Sequence, residues 1–225
     1  MLENKAGDLS VPPRGGSEND LLAHNRDVFP AGKPNSSTAM TLGEISAKWS
    51  ELQSRIRADE GAIAACSSDP SMCSPATRRF LSIVDIGRHR EDRIRLGWIN
   101  RAVNMAIRAT SDWAQYGYAD FWPLRFKRSS GAGDCEDYAI VKYVALRELG
   151  VLPDDLRLVI VQDEKREIGH AVVAVRHEQR WLILDNRTME ILDADNMRDY
   201  RPLFALDQQG TRAVATAAVE SVTNR

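Results

Sequence analysis

Gly131-Ala132-Gly133-Asp134-Cys135-Glu136-Asp137-Tyr138-Ala139-Ile140 is the stretch whose reading decides the fold. A glycine-rich turn gives way there to a run with helical spacing. Ala139, Val141, Tyr143, Val144 and Leu146 supply its apolar residues, and Gly150 with Pro153 ends it. The spacing predicts a helix from Cys135 to about Glu148, with the cysteine at its start. A helix start leaves backbone N–H groups unpaired and carries the positive end of the helix dipole. Both favour a thiolate, the nucleophilic form of cysteine.

Upstream the period is helical. Leu42, Ile45, Trp49, Leu52, Ile56 and Ile63 predict one helix over residues 42–65. A second helical region runs from Pro75 to Thr110, with a break around Gly87. Residues 111–133 form an irregular connector holding Trp113, Tyr116, Tyr118, Phe121 and Trp122, which either line a cleft or cap the core. Downstream of the cysteine the period changes to two. Leu156–Val161, His170–Val175 and Arg180–Leu184 read as strands, with a short fourth at Glu190–Leu192. Helices first and an antiparallel sheet after them make an α+β domain over residues 41–210. Residues 1–40 are rich in Gly, Pro, Ser, Asn and charge and read as a disordered leader or linker. Residues 211–225 read as a tail to which no element is assigned.

The strand pair carries a geometric test. A turn at Glu178-Gln179, or a four-residue loop from His177 to Arg180, sets Val172 opposite Asp185. Side chains on one face recur every second residue, so His170 and Asp185 then share a face and lie diagonally across from one another. An odd-length loop would put Leu184 and Asn186 there instead. Cys135, His170 and Asp185 are the types and chain order that a cysteine hydrolase needs. They would serve as nucleophile, as base and acid, and as the group that fixes the imidazole. The Cys135 backbone N–H would hold part of the oxyanion. The competing readings are a buried structural cysteine, a satisfied core histidine and a strand-end aspartate starting a turn. His24, His89 and His177 fall in a tail, an Arg-rich helix and a turn, and are not nominated.

Asp134, Glu136 and Asp137 strain this picture, because nearby carboxylates disfavour a thiolate. A hard cation such as Ca²⁺, with oxygens from these residues and from Asp112 or Asp120, would relieve the conflict. Alternatively the acids simply cap the helix start. Cys66 and Cys73 flank a short Pro-containing loop, which suits a local disulfide and an oxidising compartment; two unrelated cysteines are the alternative. No second Cys/His pair lies at ligand spacing, which argues against zinc. The Arg-rich face of the second helical region (Arg88, Arg90, Arg93, Arg95, Arg101, Arg108) reads as solvated and salt-bridged rather than as a site for an anionic partner. With a net charge of −2 there is no bulk drive toward nucleic acid or anionic membrane. No apolar run approaches the ~18–20 residues of a membrane helix, so an integral membrane protein is not expected. Met1–Asp20 is polar and lacks the apolar core of a secretion signal, which leaves two readings: a cytoplasmic protein, or a sequence given without its signal.

Several motifs in order resemble the bacterial transglutaminase-like cysteine proteinases. They are Asn100-Arg101-Ala102-Val103-Asn104, Asp112 with Tyr116-Gly117, Asp120-Phe121-Trp122-Pro123, Gly133-Asp134-Cys135-Glu136-Asp137-Tyr138-Ala139 with Lys142-Tyr143, Gly169-His170-Ala171-Val172 and Leu184-Asp185-Asn186. The resemblance implies a papain-like, transglutaminase-like fold with helices packed on an antiparallel sheet, and a Cys135–His170–Asp185 triad. It implies calcium beside the nucleophile, with Asp112, Asp134 and Glu136 as ligands together with carbonyls near Trp113 and Tyr116. One branch of that family is periplasmic and releases large surface adhesins, which controls biofilm attachment. The resemblance thus implies an adhesin-like protein substrate, a periplasmic location and an inner-membrane regulatory receptor. The Cys66–Cys73 loop lies outside the matched motifs. Two alternatives to endopeptidase remain: acyl transfer from protein glutamine to an amine, and a non-catalytic calcium-binding or partner-docking module.

Overall fold

The computed structural model describes residues 28–32, 40–110 and 132–215. Helix α1, Leu42–Ser68, starts at a reciprocal cap. The Thr41 hydroxyl accepts from the Glu44 amide at 3.2 Å, and the Glu44 carboxylate accepts from the Thr41 amide at 2.7 Å. Its buried residues include Ile45, Trp49, Leu52, Ile56 and Ile63, the stripe the spacing predicts. The Pro75–Thr110 region is two helices, α2 over Pro75–Arg88 and α3 over Asp92–Ala106. The break follows Gly87. A Cβ on that glycine would come within 3.2 Å of Leu149, so the residue serves close packing as well as the turn. Arg108–Ala109 (β1) then pairs in parallel with Ala132–Gly133 (β2). Helix α4 spans Cys135–Glu148 as expected and is buried from Asp137 to Leu146.

Six antiparallel strands follow: β3 Leu156–Asp163, β4 Ile168–His177, β5 Arg180–Leu184, β6 Ile191–Asp193, β7 Tyr200–Asp207 and β8 Gly210–Ala213. Their spatial order is β6-β5-β4-β3-β7-β8. The first four match the strands the sequence predicts; β7 and β8 are additional. The β4–β5 turn is the two-residue one, since His177 pairs with Arg180 and Glu178 and Gln179 have φ of 49° and 64°. Positive φ at both central residues is the turn whose twist matches the strands. Val173 pairs with Leu184, so the register is the one that sets His170 diagonal to Asp185.

Each face of the sheet has its own apolar core. Helices α1 to α4 pack on the face bearing Leu158, Ile160, Val173 and Leu184. The other face carries Val159, Val172, Ile183 and Ala205 with Trp181 and Phe29. Phe29 falls within the stretch read as a leader, yet it is buried with its ring 5.8 Å from that of Trp181. Ala31 bridges to Val214, so residues on both sides of the expected domain boundaries are joined to the sheet. Cys66 and Cys73 form the local disulfide, with Cα atoms 4.7 Å apart, tying the end of α1 to the approach to α2.

Candidate active site

The first turn of α4 is built around two acids. The Asp137 carboxylate accepts from the Asp134 amide at 3.1 Å, folding back over the helix start. A Cβ on Gly133 would lie 2.5 Å from that carboxylate, so the approach requires glycine. The Tyr138 hydroxyl donates to the Ile107 carbonyl at 2.7 Å and anchors the same turn to the end of α3. Cys135 occupies the first helical position. Its thiol donates to Glu136 Oε2 at 2.9 Å, and its sulfur accepts from the Ala171 amide. Burial is the main influence pushing this thiol up, and the charges of Glu136 and Asp134 push the same way. The Ala171 amide opposes them.

Ala171 is reachable because β5 stops at Leu184. From Ile168 to Val172, β4 is paired with β3 alone among the described strands. His170 sits on this rim, buried, with Nε2 2.8 Å from Asp185 Oδ1. A carboxylate only accepts, so Nε2 carries a proton, and in the neutral ring Nδ1 is the acceptor. Nδ1 is buried and has no hydrogen-bond partner among the described residues.

Asp185 is held from several sides. Oδ1 also accepts from the Arg187 amide at 3.0 Å, and Oδ2 accepts from the Tyr200 hydroxyl at 2.7 Å. Burial alone would raise its pKa, but the bonds and charge of His170, the Arg187 amide and Tyr200 outweigh it and bring the carboxyl to about 2. Asn104 Nδ2 donates to the Asp185 carbonyl at 3.0 Å and to the Thr188 carbonyl at 2.9 Å. One turn earlier on α3, Asn100 Nδ2 donates to the Thr188 carbonyl at 3.0 Å. The two asparagines thus pin the loop on which Asp185 lies.

Of the sequence-nominated residues, His170 and Asp185 are thus bonded to one another at the rim of the sheet, and the Cys135 sulfur lies at the amide of Ala171, the next residue in the chain. Asp134 and Glu136 flank the sulfur. Asp112, the third expected ligand, lies outside the described residues, as do Asp120, the aromatic connector and His24. Among the described residues no three His, Cys, Asp or Glu side chains gather as a metal cluster. His89 bonds within its own helix, to the Asp85 carbonyl, and His177 closes the β4–β5 turn. Tyr200 and Arg187 were not nominated. The alternation around Tyr200 is interrupted by Pro202, and Arg187 follows a strand end that reads as a plain turn.

Residues 54–214 match the family model of the bacterial transglutaminase-like cysteine proteinases. The chain belongs to that family. The solved structure of LapG from Legionella pneumophila is 25% identical, covers 68% of this chain and 86% of its own, and superposes with a TM-score of 0.56. The EGTA-treated form of the same protein gives 25%, 70%, 86% and 0.57 for the same four quantities. Its calcium-bound form, at 22% identity, covers 76% of this chain and 92% of its own with a TM-score of 0.55. No curated protein sequence matches the chain. The fold is the transglutaminase-like α+β fold, and the protein is a cysteine peptidase of that type. Among the described residues no helix is long and apolar enough to cross a membrane.

Proposed function

We propose that Cys135, His170 and Asp185 are the nucleophile, base and orienting acid of a cysteine endopeptidase. The observation that carries this is the protonated Nε2 of His170 on Asp185, which leaves a buried Nδ1 acceptor one residue from the amide that touches the Cys135 sulfur. In this reading Nδ1 takes the thiol proton and Asp185 stabilises the imidazolium. The thiolate attacks the peptide carbonyl, and the Cys135 amide at the helix start stabilises the developing oxyanion. The imidazolium protonates the departing amine. Neutral His170 then takes a proton from water, which hydrolyses the acyl-enzyme and frees the thiol.

The acids beside the sulfur fit a calcium ion. Glu136 and Asp134 hold the thiol in its protonated form, and a hard cation would draw their charge away from it. Asp112, Asp134 and Glu136 are the side chains proposed to hold it; the calcium-bound form of the Legionella protein supports calcium binding in the family. The disulfide Cys66–Cys73 supports an oxidising compartment such as the periplasm. A surface or periplasmic protein, such as a large adhesin, is the proposed substrate, with an inner-membrane receptor as regulator; both rest on the family resemblance.

The test is alkylation of Cys135 by iodoacetamide, read by mass spectrometry with calcium and with chelator, in wild type and in His170→Ala. Labelling faster than a free thiol at pH 7, lost in the variant, is the expected result. Labelling no faster than a free thiol in both proteins and both conditions would overturn the reading. Peptide release without incorporation of an added primary amine separates hydrolysis from acyl transfer.

A further inference from the structure

One of the three contacts of the Asp185 carboxylate comes from outside the nominated residues and from β7, two strands away from β4. Tyr200 is the first residue of β7 and pairs directly with Asp163, the last residue of β3. Asp163 is buried and accepts from the amides of Lys165 at 3.1 Å and Arg166 at 3.0 Å. Arg187 forms an ion pair with Asp163 and donates to the Tyr200 hydroxyl at 3.4 Å. The hydroxyl has one proton, and it goes to Asp185 Oδ2 at 2.7 Å. The bonds therefore run in one direction: Arg187 gives to Tyr200, Tyr200 gives to Asp185, and Asp185 takes the His170 proton on its other oxygen.

We propose that Tyr200 is a positioning residue, which fixes the Asp185 carboxylate so that His170 presents Nδ1 toward Cys135. This rests on the catalytic reading of those three residues. With Oδ2 taken by Tyr200, Oδ1 is the oxygen left for His170 Nε2 and the Arg187 amide, so rotation of the carboxylate breaks at least one bond. The Tyr200 ring also flanks the imidazole, with centroids 5.5 Å apart and planes at 53°. Burial, with the Asp185 charge, moves the phenol up to about 12, so it remains a donor across the range in which a cysteine peptidase works. Arg187 and Asp163 hold the phenol in turn, so the orientation of Asp185 is referred to a buried anion at the end of β3.

The test uses Cys135 alkylation by iodoacetamide, with calcium present, in four proteins: wild type, Tyr200→Phe, Asp185→Ala and the double variant. Tyr200→Phe keeps the ring and deletes one hydrogen bond to a charged group, so alkylation at pH 7 is expected to fall on the order of tenfold with the melting temperature nearly unchanged. In the Asp185→Ala background the same substitution is expected to change the rate by less than about twofold, because Tyr200 acts through Asp185. Equal effects in both backgrounds, or no effect in either, overturn the proposal. His170→Ala run alongside separates the two levels. If it slows alkylation while Tyr200→Phe does not, the positioning role fails and the catalytic reading stands. If wild type and His170→Ala both react like a free thiol, the catalytic reading fails and takes this one with it.

Discussion

His170 donates from Nε2 to Asp185 Oδ1 at 2.8 Å, with both side chains almost wholly removed from solvent. The bond decides which imidazole nitrogen of the neutral ring is left as an acceptor, the one proposed to take the thiol proton. Asp185→Asn keeps the shape but offers an amide that can donate to the ring, favouring the wrong tautomer. Cys135 alkylation at pH 7 is expected to fall by on the order of 10²–10³ in that variant. The same carboxylate carries a stability term. Its folded pKa, about 2, lies below the unfolded value, so its contribution is complete above about pH 4 and is lost as pH falls toward 2. The contribution is about 2 kcal/mol. Acid unfolding of Asp185→Ala should therefore lack that part of the wild-type pH dependence between pH 4 and 2. Parallel acid curves for the two proteins would contradict this.

Glu136 sits against the Cys135 sulfur, and its charge is the second cause, after burial, that raises the thiol. Glu136→Gln removes that charge, so in chelator the variant is expected to alkylate faster than wild type, about tenfold for each pKa unit relieved. Calcium is expected to accelerate wild type and to leave the variant nearly unchanged, because the same substitution deletes a proposed ligand. Isothermal titration with calcium alone reads the second half independently of the thiol. Equal calcium affinity in the two proteins would remove Glu136 from the ligand set.

What the sequence made legible follows from periodicity and its interruptions. The His170–Asp185 relation was readable because a Glu178-Gln179 turn fixes strand register by parity, and the observed pairing of Val173 with Leu184 is that register. Cys135 was readable because glycines followed by a helical run mark a helix start. Strand β7 was not readable, because Pro202 breaks an otherwise strand-like run and a proline ordinarily demotes a central strand. The chain accommodates it at a register shift: Ile160 pairs with Phe204 and Val161 with Pro202. The extra residue on β7, Leu203, makes a bulge beside the proline, and prolines within sheets are found at such bulges. Losing β7 meant losing Tyr200. Phe29 was hidden for a different reason, since one aromatic in a polar stretch has no period to read. Asn104 lay within a quoted motif, but a side chain that holds another loop's carbonyls leaves no trace in local spacing.

The Cys66–Cys73 disulfide closes a short loop and joins the end of α1 to the capped start of α2. A loop of this length is expected to contribute about 2–3 kcal/mol, through the unfolded chain. The double variant Cys66→Ser/Cys73→Ser should unfold at lower urea by that amount, and added reductant should lower wild type toward it. Below the melting transition its Cys135 alkylation rate should match wild type, because the disulfide joins the end of α1 to the approach to α2 and belongs to neither α4 nor the β4–β5 rim. Loss of alkylation in well-folded variant would mean that the α1–α2 joint shapes the site.

Lys142 lies two turns beyond Cys135 on α4, is 1% exposed, and its Nζ has no hydrogen-bond partner among the described residues. Burial lowers its pKa to about 7, against the opposing pull of the Asp185 charge. The sign for stability is the reverse of the Asp185 case. The unfolded chain holds this proton up to its ordinary lysine pKa, while the folded chain releases it near 7, so stability rises with pH across that window. At pH 6 the folded protein bears the full cost of a buried ammonium. Lys142→Met, similar in length and apolar, is expected to stabilise the fold by about 1–4 kcal/mol at pH 6. The gain should shrink steadily from about pH 7 toward pH 10, because the folded lysine is by then neutral while the unfolded chain still holds most of its proton. Urea unfolding at pH 6, 8 and 10 measures this. A variant less stable than wild type by the same amount at all three would show that the ammonium is satisfied in solution and that Lys142 stabilises the fold as a charge.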